Sequence, residues 1–176
     1  GPGHTHQRHG WLAGCGAEFM EASASSSSSA RPQMRAKATP AVQKLLGDAT
    51  LKYAMREFQQ AVALLLEVVK AAPALPHPYH TLGLIYEEMG HNKKALKLFM
   101  MAAHLSKKDT SQWKRLATLC KQQGDRQQAL YCLARVLSIS PNDPDALWER
   151  ALMLAEAGEH RKAAKSLVPL LQSRPG

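Results

Sequence analysis

From Val42 onward, apolar residues recur at steps of three and four. Tyr79, Leu82, Gly83 and Tyr86 stand at i, i+3, i+4 and i+7, which is one face of an α-helix. Ala95, Phe99 and Ala102 build a matching face further on. The pattern predicts eight helices, near residues 42–54, 57–71, 76–89, 92–105, 110–123, 126–139, 144–157 and 160–173. Pro169 falls inside the last, where it is expected to kink or fray the helix, because proline removes a backbone donor and clashes with the preceding turn. Residues 1–41 show no such period. They hold His4, His6 and His9 and the run Ser25–Ser29, and are expected to be disordered, since they bury too little apolar surface to offset ordering entropy.

The helical part repeats. Ala61, Ala95, Ala129 and Ala163 are 34 residues apart, as are Ala49, Gly83, Ala117 and Ala151. Gly90, Gly124 and Gly158 keep that step, with Arg56 on the first rung. Pro73, Pro141 and Pro175 form another ladder, with Lys107 on the missing rung. A 34-residue period in these residue types is the tetratricopeptide signature. The expected fold is all-α: four helix-turn-helix repeats, at 42–75, 76–109, 110–143 and 144–176, stacked into a superhelical solenoid with a groove. Small Gly83 and Ala95 suit close helix approach. Gly90, Gly124 and Gly158 suit the left-handed residue that ends a helix.

The groove should be lined by the outer side of each first helix. The candidate partner-binding residues are Tyr53, His77, His80, Leu84, Glu87, Glu88, Lys114, Lys121 and Trp148. Along that series an apolar end gives way to an acidic middle, a basic step and a far aromatic. Trp148 reads either as an anchor for a partner or as a core filler between repeats. His77 and His80 have chelating spacing, but no metal is assigned to them or to the N-terminal histidines. Cys120 occupies a core position of its repeat, and His91 and His104 read as residues near helix ends. Lys93, Lys94, Lys97, Lys107, Lys108, Lys114, Arg115 and Lys121 cluster in the second and third repeats and are expected to steer an acidic partner segment.

Composition narrows the function. The net charge is +9, and residues 42–176 carry nineteen Lys/Arg against twelve Asp/Glu, so the repeats are basic in their own right. DNA contact is expected to be indirect or non-specific at most. Cys15, Cys120 and Cys132 share no metal or redox spacing, which suits a reducing compartment. No phosphate loop, HExxH, Cys-x-x-Cys or GxSxG occurs, so neither an enzyme nor a cofactor is expected. No apolar run is long enough to span a bilayer. With Gly1 at one end and the fourth repeat at the other, the chain reads as an incomplete array.

Longer strings carry a more specific likeness: Gly47-Asp-Ala-Thr-Leu-Lys-Tyr-Ala54, Thr81-Leu-Gly-Leu-Ile-Tyr-Glu-Glu88, Ala102-Ala-His-Leu105, Asp109-Thr-Ser-Gln-Trp-Lys-Arg-Leu-Ala117 and Leu147-Trp-Glu-Arg-Ala151. Over about residues 44–165 the chain resembles the N-terminal repeat array of the tetratricopeptide subunits of transcription factor IIIC, of the RNA polymerase III machinery. The resemblance implies a nuclear scaffold whose partners are other factor IIIC subunits and initiation factor IIIB. The alternative is a cytosolic adaptor for RNA processing or a chaperone-linked complex. Chaperone-binding relatives use a Lys, Asn and Arg carboxylate clamp. The matching places here are Leu46, Thr50, Thr81, Ser111 and Arg115, and only Arg115 fits.

Overall fold

The computed structural model describes residues 38–172. Among them are eight helices: α1 (Pro40–Ala54), α2 (Phe58–Ala71), α3 (Pro76–Glu88), α4 (Asn92–Leu105), α5 (Thr110–Gln122), α6 (Arg126–Ile139), α7 (Pro144–Glu156) and α8 (His160–Gln172). The expectation for residues 1–41 lies outside the described residues, except at its end. Pro40 and Ala41 are helical there, a correction with a local cause: Thr39 Oγ1 accepts from the Val42 N–H at 3.3 Å, and Pro40 suits the first helical turn. The N-terminal histidines and Cys15 also lie outside.

The 34-residue ladder has a backbone meaning. Arg56, Gly90, Gly124 and Gly158 have φ of 60°, 81°, 76° and 80°. At each, the residue that follows donates its N–H five residues back: Glu57 to Lys52, His91 to Tyr86, Asp125 to Cys120 and Glu159 to Leu154. This is the Schellman closure, and it satisfies carbonyls left over at the helix end. Aspartates start the next elements. Asp109 accepts from Ser111 and Gln112, Asp125 from Gln128 and Asp143 from Ala146. Second helices stop two residues short of Pro73 and Pro141. The last helix runs through Pro169 to Gln172, so the proline does not end it.

The chain divides into two compact units, at Ile85 within α3. In the first, α1 packs on α2 around Val42, Ala49, Ala61, Leu65 and Val68. Tyr79 is buried there, and its hydroxyl donates to the Pro73 carbonyl at 2.9 Å. In the second, α4 packs on α5, α5 on α6, α6 on α7 and α7 on α8. Its core holds Leu98, Trp113, Leu116, Cys120, Ala129, Val136 and Leu147. Gly83 and Ala95 are both buried.

Candidate protein-binding surface

Four of the nine candidate residues lie in the first unit. Tyr53 is half-buried, with its ring 6.2 Å from that of Phe58. His77 is exposed, while His80 and Leu84 are half-buried. The His77 carbonyl accepts from the Thr81 hydroxyl at 3.1 Å, which ties that polar side chain to its own helix. Nowhere among the described residues do three His, Cys, Asp or Glu side chains come together as metal ligands would.

The other five lie in the second unit. Glu87 faces Arg115 at 3.8 Å, and the Arg115 guanidinium also lies 5.1 Å from the centre of the Phe99 ring. Glu88 is exposed. Lys114 reaches from α5 to Asp143 at 2.7 Å and to Asp145 at 3.3 Å, and Lys121 reaches Glu149 of α7 at 3.3 Å. The hydrogen bond to Asp143 holds the Lys114 ammonium above its ordinary value. The basic step expected at Lys114 and Lys121 is therefore already matched by carboxylates of the following repeat. Each such exposed pair contributes about 0–1 kcal/mol, so its main effect is on charge pattern.

Between α5 and α7 a cleft of about 240 Å³ is lined by Lys114, Thr118, Lys121, Asp145, Glu149 and Met153, among others. Beside it, Trp148 is 52 % exposed and Leu152, one turn on, 37 % exposed. Trp148 therefore fills no gap among the described repeats. A large indole left in water next to a cleft is a surface able to bury area against a partner.

A second cluster escaped the sequence pattern. His104, at the end of α4, meets Trp113 of α5 edge-on at 4.8 Å between ring centres. Its Nε2 lies 3.4 Å from the Tyr131 hydroxyl of α6. The Arg135 guanidinium sits 5.5 Å from the centre of the Trp113 ring. Burial, and then the Arg135 charge, lower the His104 pKa. His104 thus lies in the last turn of its helix, as expected, and also packs against rings of the following repeat. Cys120 and Cys132, 12 positions apart in sequence, are both fully buried and hydrogen-bonded to each other across α5 and α6. That hydrogen bond, and then burial, keep the Cys132 thiol protonated well above its usual range.

Tetratricopeptide repeat families match residues 76–109 and 112–147. The chain carries tetratricopeptide repeats. Over 129 residues, 73% of the chain, it is 34% identical to human "General transcription factor 3C polypeptide 3", and covers 15% of that protein. It is 29% identical over 136 residues, 77% of the chain, to the "Transcription factor tau 131 kDa subunit" of Saccharomyces cerevisiae, and covers 13% of it. The tetratricopeptide chain therefore spans about a seventh of the length of these relatives. A crystal structure of a tetratricopeptide repeat protein from Parabacteroides merdae aligns with 76% of the chain and 54% of its own, at TM-score 0.55 and 19% identity, a likeness of fold.

Proposed function

We propose that this chain is a non-catalytic protein-binding scaffold of the RNA polymerase III apparatus, acting in the nucleus within a transcription factor IIIC assembly and helping to recruit initiation factor IIIB. The observation that carries the reading is the human transcription-factor relative at 34% identity over 73% of the chain. The α5–α7 surface suits the role. Trp148 and Leu152 offer an apolar anchor, and the Lys114–Asp145 and Lys121–Glu149 pairs frame it with alternating charge. A partner segment would bury an apolar side chain on Trp148 and set its own polar groups against those pairs. Because both lysines are paired, an acidic segment gains less from them than bare lysines would give.

The test is co-purification of factor IIIC and factor IIIB subunits with the chain, before and after Trp148→Ala. Loss of an exposed aromatic anchor should weaken retention by about tenfold or more if it is a hot spot. Retention unchanged in the variant removes Trp148 from the interface. Absence of both factors from the unsubstituted chain, with chaperones present instead, overturns the reading.

A further inference from the structure

Two half-buried cations of the second unit have an anion or hydroxyl beside them. Lys114 has Asp143 and Asp145, and Arg150 donates from Nε to Ser166 at 3.0 Å. Arg135 differs. Its Nε is buried without a hydrogen-bond partner, and no carboxylate pairs with it among the described residues. Its recorded neighbours are the Trp113 ring and His104.

An ionised group withdrawn from water without a counter-charge is costly, and a guanidinium on an aromatic shelf keeps its fork open to a planar acceptor. Tyr131 stands one helical turn before Arg135 on α6, so the two share a face, and Tyr131 is 39 % exposed. The 3.4 Å between its hydroxyl and His104 Nε2 is long for a hydrogen bond between these groups, which leaves the phenol able to donate outward. These groups belong to the second helices, apart from the first-helix cleft with Trp148.

We propose that Arg135, Tyr131 and His104 form a carboxylate-recognition site that takes an aspartate or glutamate side chain of a partner protein. The guanidinium donates to the carboxylate as a fork through its two terminal nitrogens, the Tyr131 hydroxyl donates to one of the same oxygens, and His104 stands beside that hydroxyl. An apolar neighbour of the acidic residue would lie along the Tyr131 ring. Charge complementarity selects this occupant: the site has a half-buried cation without a counter-charge, two polar aromatic edges and no acid of its own. That the carboxylate belongs to a protein rests on the scaffold reading above.

The test uses the whole chain and three pools of short peptides, random except at a central residue, which is Glu, Gln or phosphoserine. The Glu pool should be retained about tenfold or more over the Gln pool, as charge-assisted hydrogen bonds require. Arg135→Gln should bring the two pools level. Arg135→Lys, which keeps the charge and loses the fork, should lose most of the difference, and Tyr131→Phe part of it. The Arg135 Nε–H resonance should move on addition of the Glu pool. Equal retention of the Glu and Gln pools, or a preference untouched by both Arg135 variants, overturns the proposal. A phosphoserine pool retained above the Glu pool replaces carboxylate by phosphate and also overturns it. Leu171→Ala, at an exposed position of α8, should leave Glu-pool binding intact. Binding that survives while factor IIIC and IIIB subunits fail to co-purify separates this site from the scaffold reading.

Discussion

Helices α4 and α8 hold the same place in their repeats and are nearly equal in length, yet they are anchored very differently. α4 buries Ala95, Leu96, Leu98, Phe99, Met100, Ala102 and Ala103. α8 buries Ala163 and Ser166 and leaves Val168 and Leu171 largely in water, Leu171 at 73 % exposure. The small residue at the helix-pairing position is shared, since Ala95 and Ala163 are both buried. The flanks of the helix make the difference. In a repeat array each unit is held by its own hairpin and by its neighbours, so stability is a sum of internal and interface terms. α4 packs on α5 of the following repeat, and α8 packs on α7 of its own.

The largest expected consequence is in large-to-small substitution. Leu98→Ala should cost about 2–5 kcal/mol, since Leu98 is almost wholly buried, whereas Leu171→Ala should stay within about 0.5 kcal/mol. Urea midpoints of the two variants check this. Similar losses would mean that Leu171 is packed and the contrast false. Hydrogen exchange gives the same contrast without mutation: amides of residues 160–172 should exchange faster than those of 92–139, because local opening exposes less apolar surface there. Equal protection in a monomer would break the comparison.

A smaller effect reaches α8 through its support. Asp143 caps α7 by accepting from Ala146 at 3.0 Å and receives the Lys114 ammonium at 2.7 Å. Asp143→Ala should cost about 1–2 kcal/mol. Exchange should then quicken in α7 and α8 while α4 is little changed. A uniform change across α4 to α8 would mean that the unit opens all at once.

The smallest effect is a pH slope from α4. Burial and Arg135 hold His104 below the ordinary histidine value, so the unfolded chain takes up that proton first as pH falls. The stability it contributes is complete above roughly pH 6.5 and is lost as pH drops through the lowered value. Two carboxylates act in a lower window. Asp109 is held down first by the Ser111 hydroxyl. Burial raises Asp143, but Lys114 and the Ala146 N–H outweigh it and leave its pKa lowered. Their contribution is lost only below about pH 4. Thermal midpoints between pH 7 and 5 should decline, and His104→Gln should flatten the decline. An unaltered slope would remove His104 as its source.

The backbone was more legible than the surface. A ladder of Gly90, Gly124 and Gly158 fixes where first helices stop, and α4 and α6 begin and end where the spacing places them. Arg56 could be put on that ladder by arithmetic alone, since its left-handed φ follows from its rung. Side-chain partners were harder. Lys114 meets Asp145 31 positions away, and Lys121 meets Glu149 28 away, distances set by the stacking of successive first helices. A period read from apolar residues does not say which charges that stacking aligns. The His104, Trp113, Tyr131 and Arg135 cluster joins three helices, and its members share no motif in the chain. Trp148 was open between core and surface because a first-helix position faces either, according to how its neighbours tilt.

The order of packing has a consequence during synthesis. In the second unit each helix from α5 to α8 rests on the one made just before it. Such contacts close short stretches of chain, and the entropy of closing them is modest. A nascent polypeptide could therefore settle one hairpin while the next is still inside the ribosome, so that little apolar surface waits exposed for a distant segment to arrive.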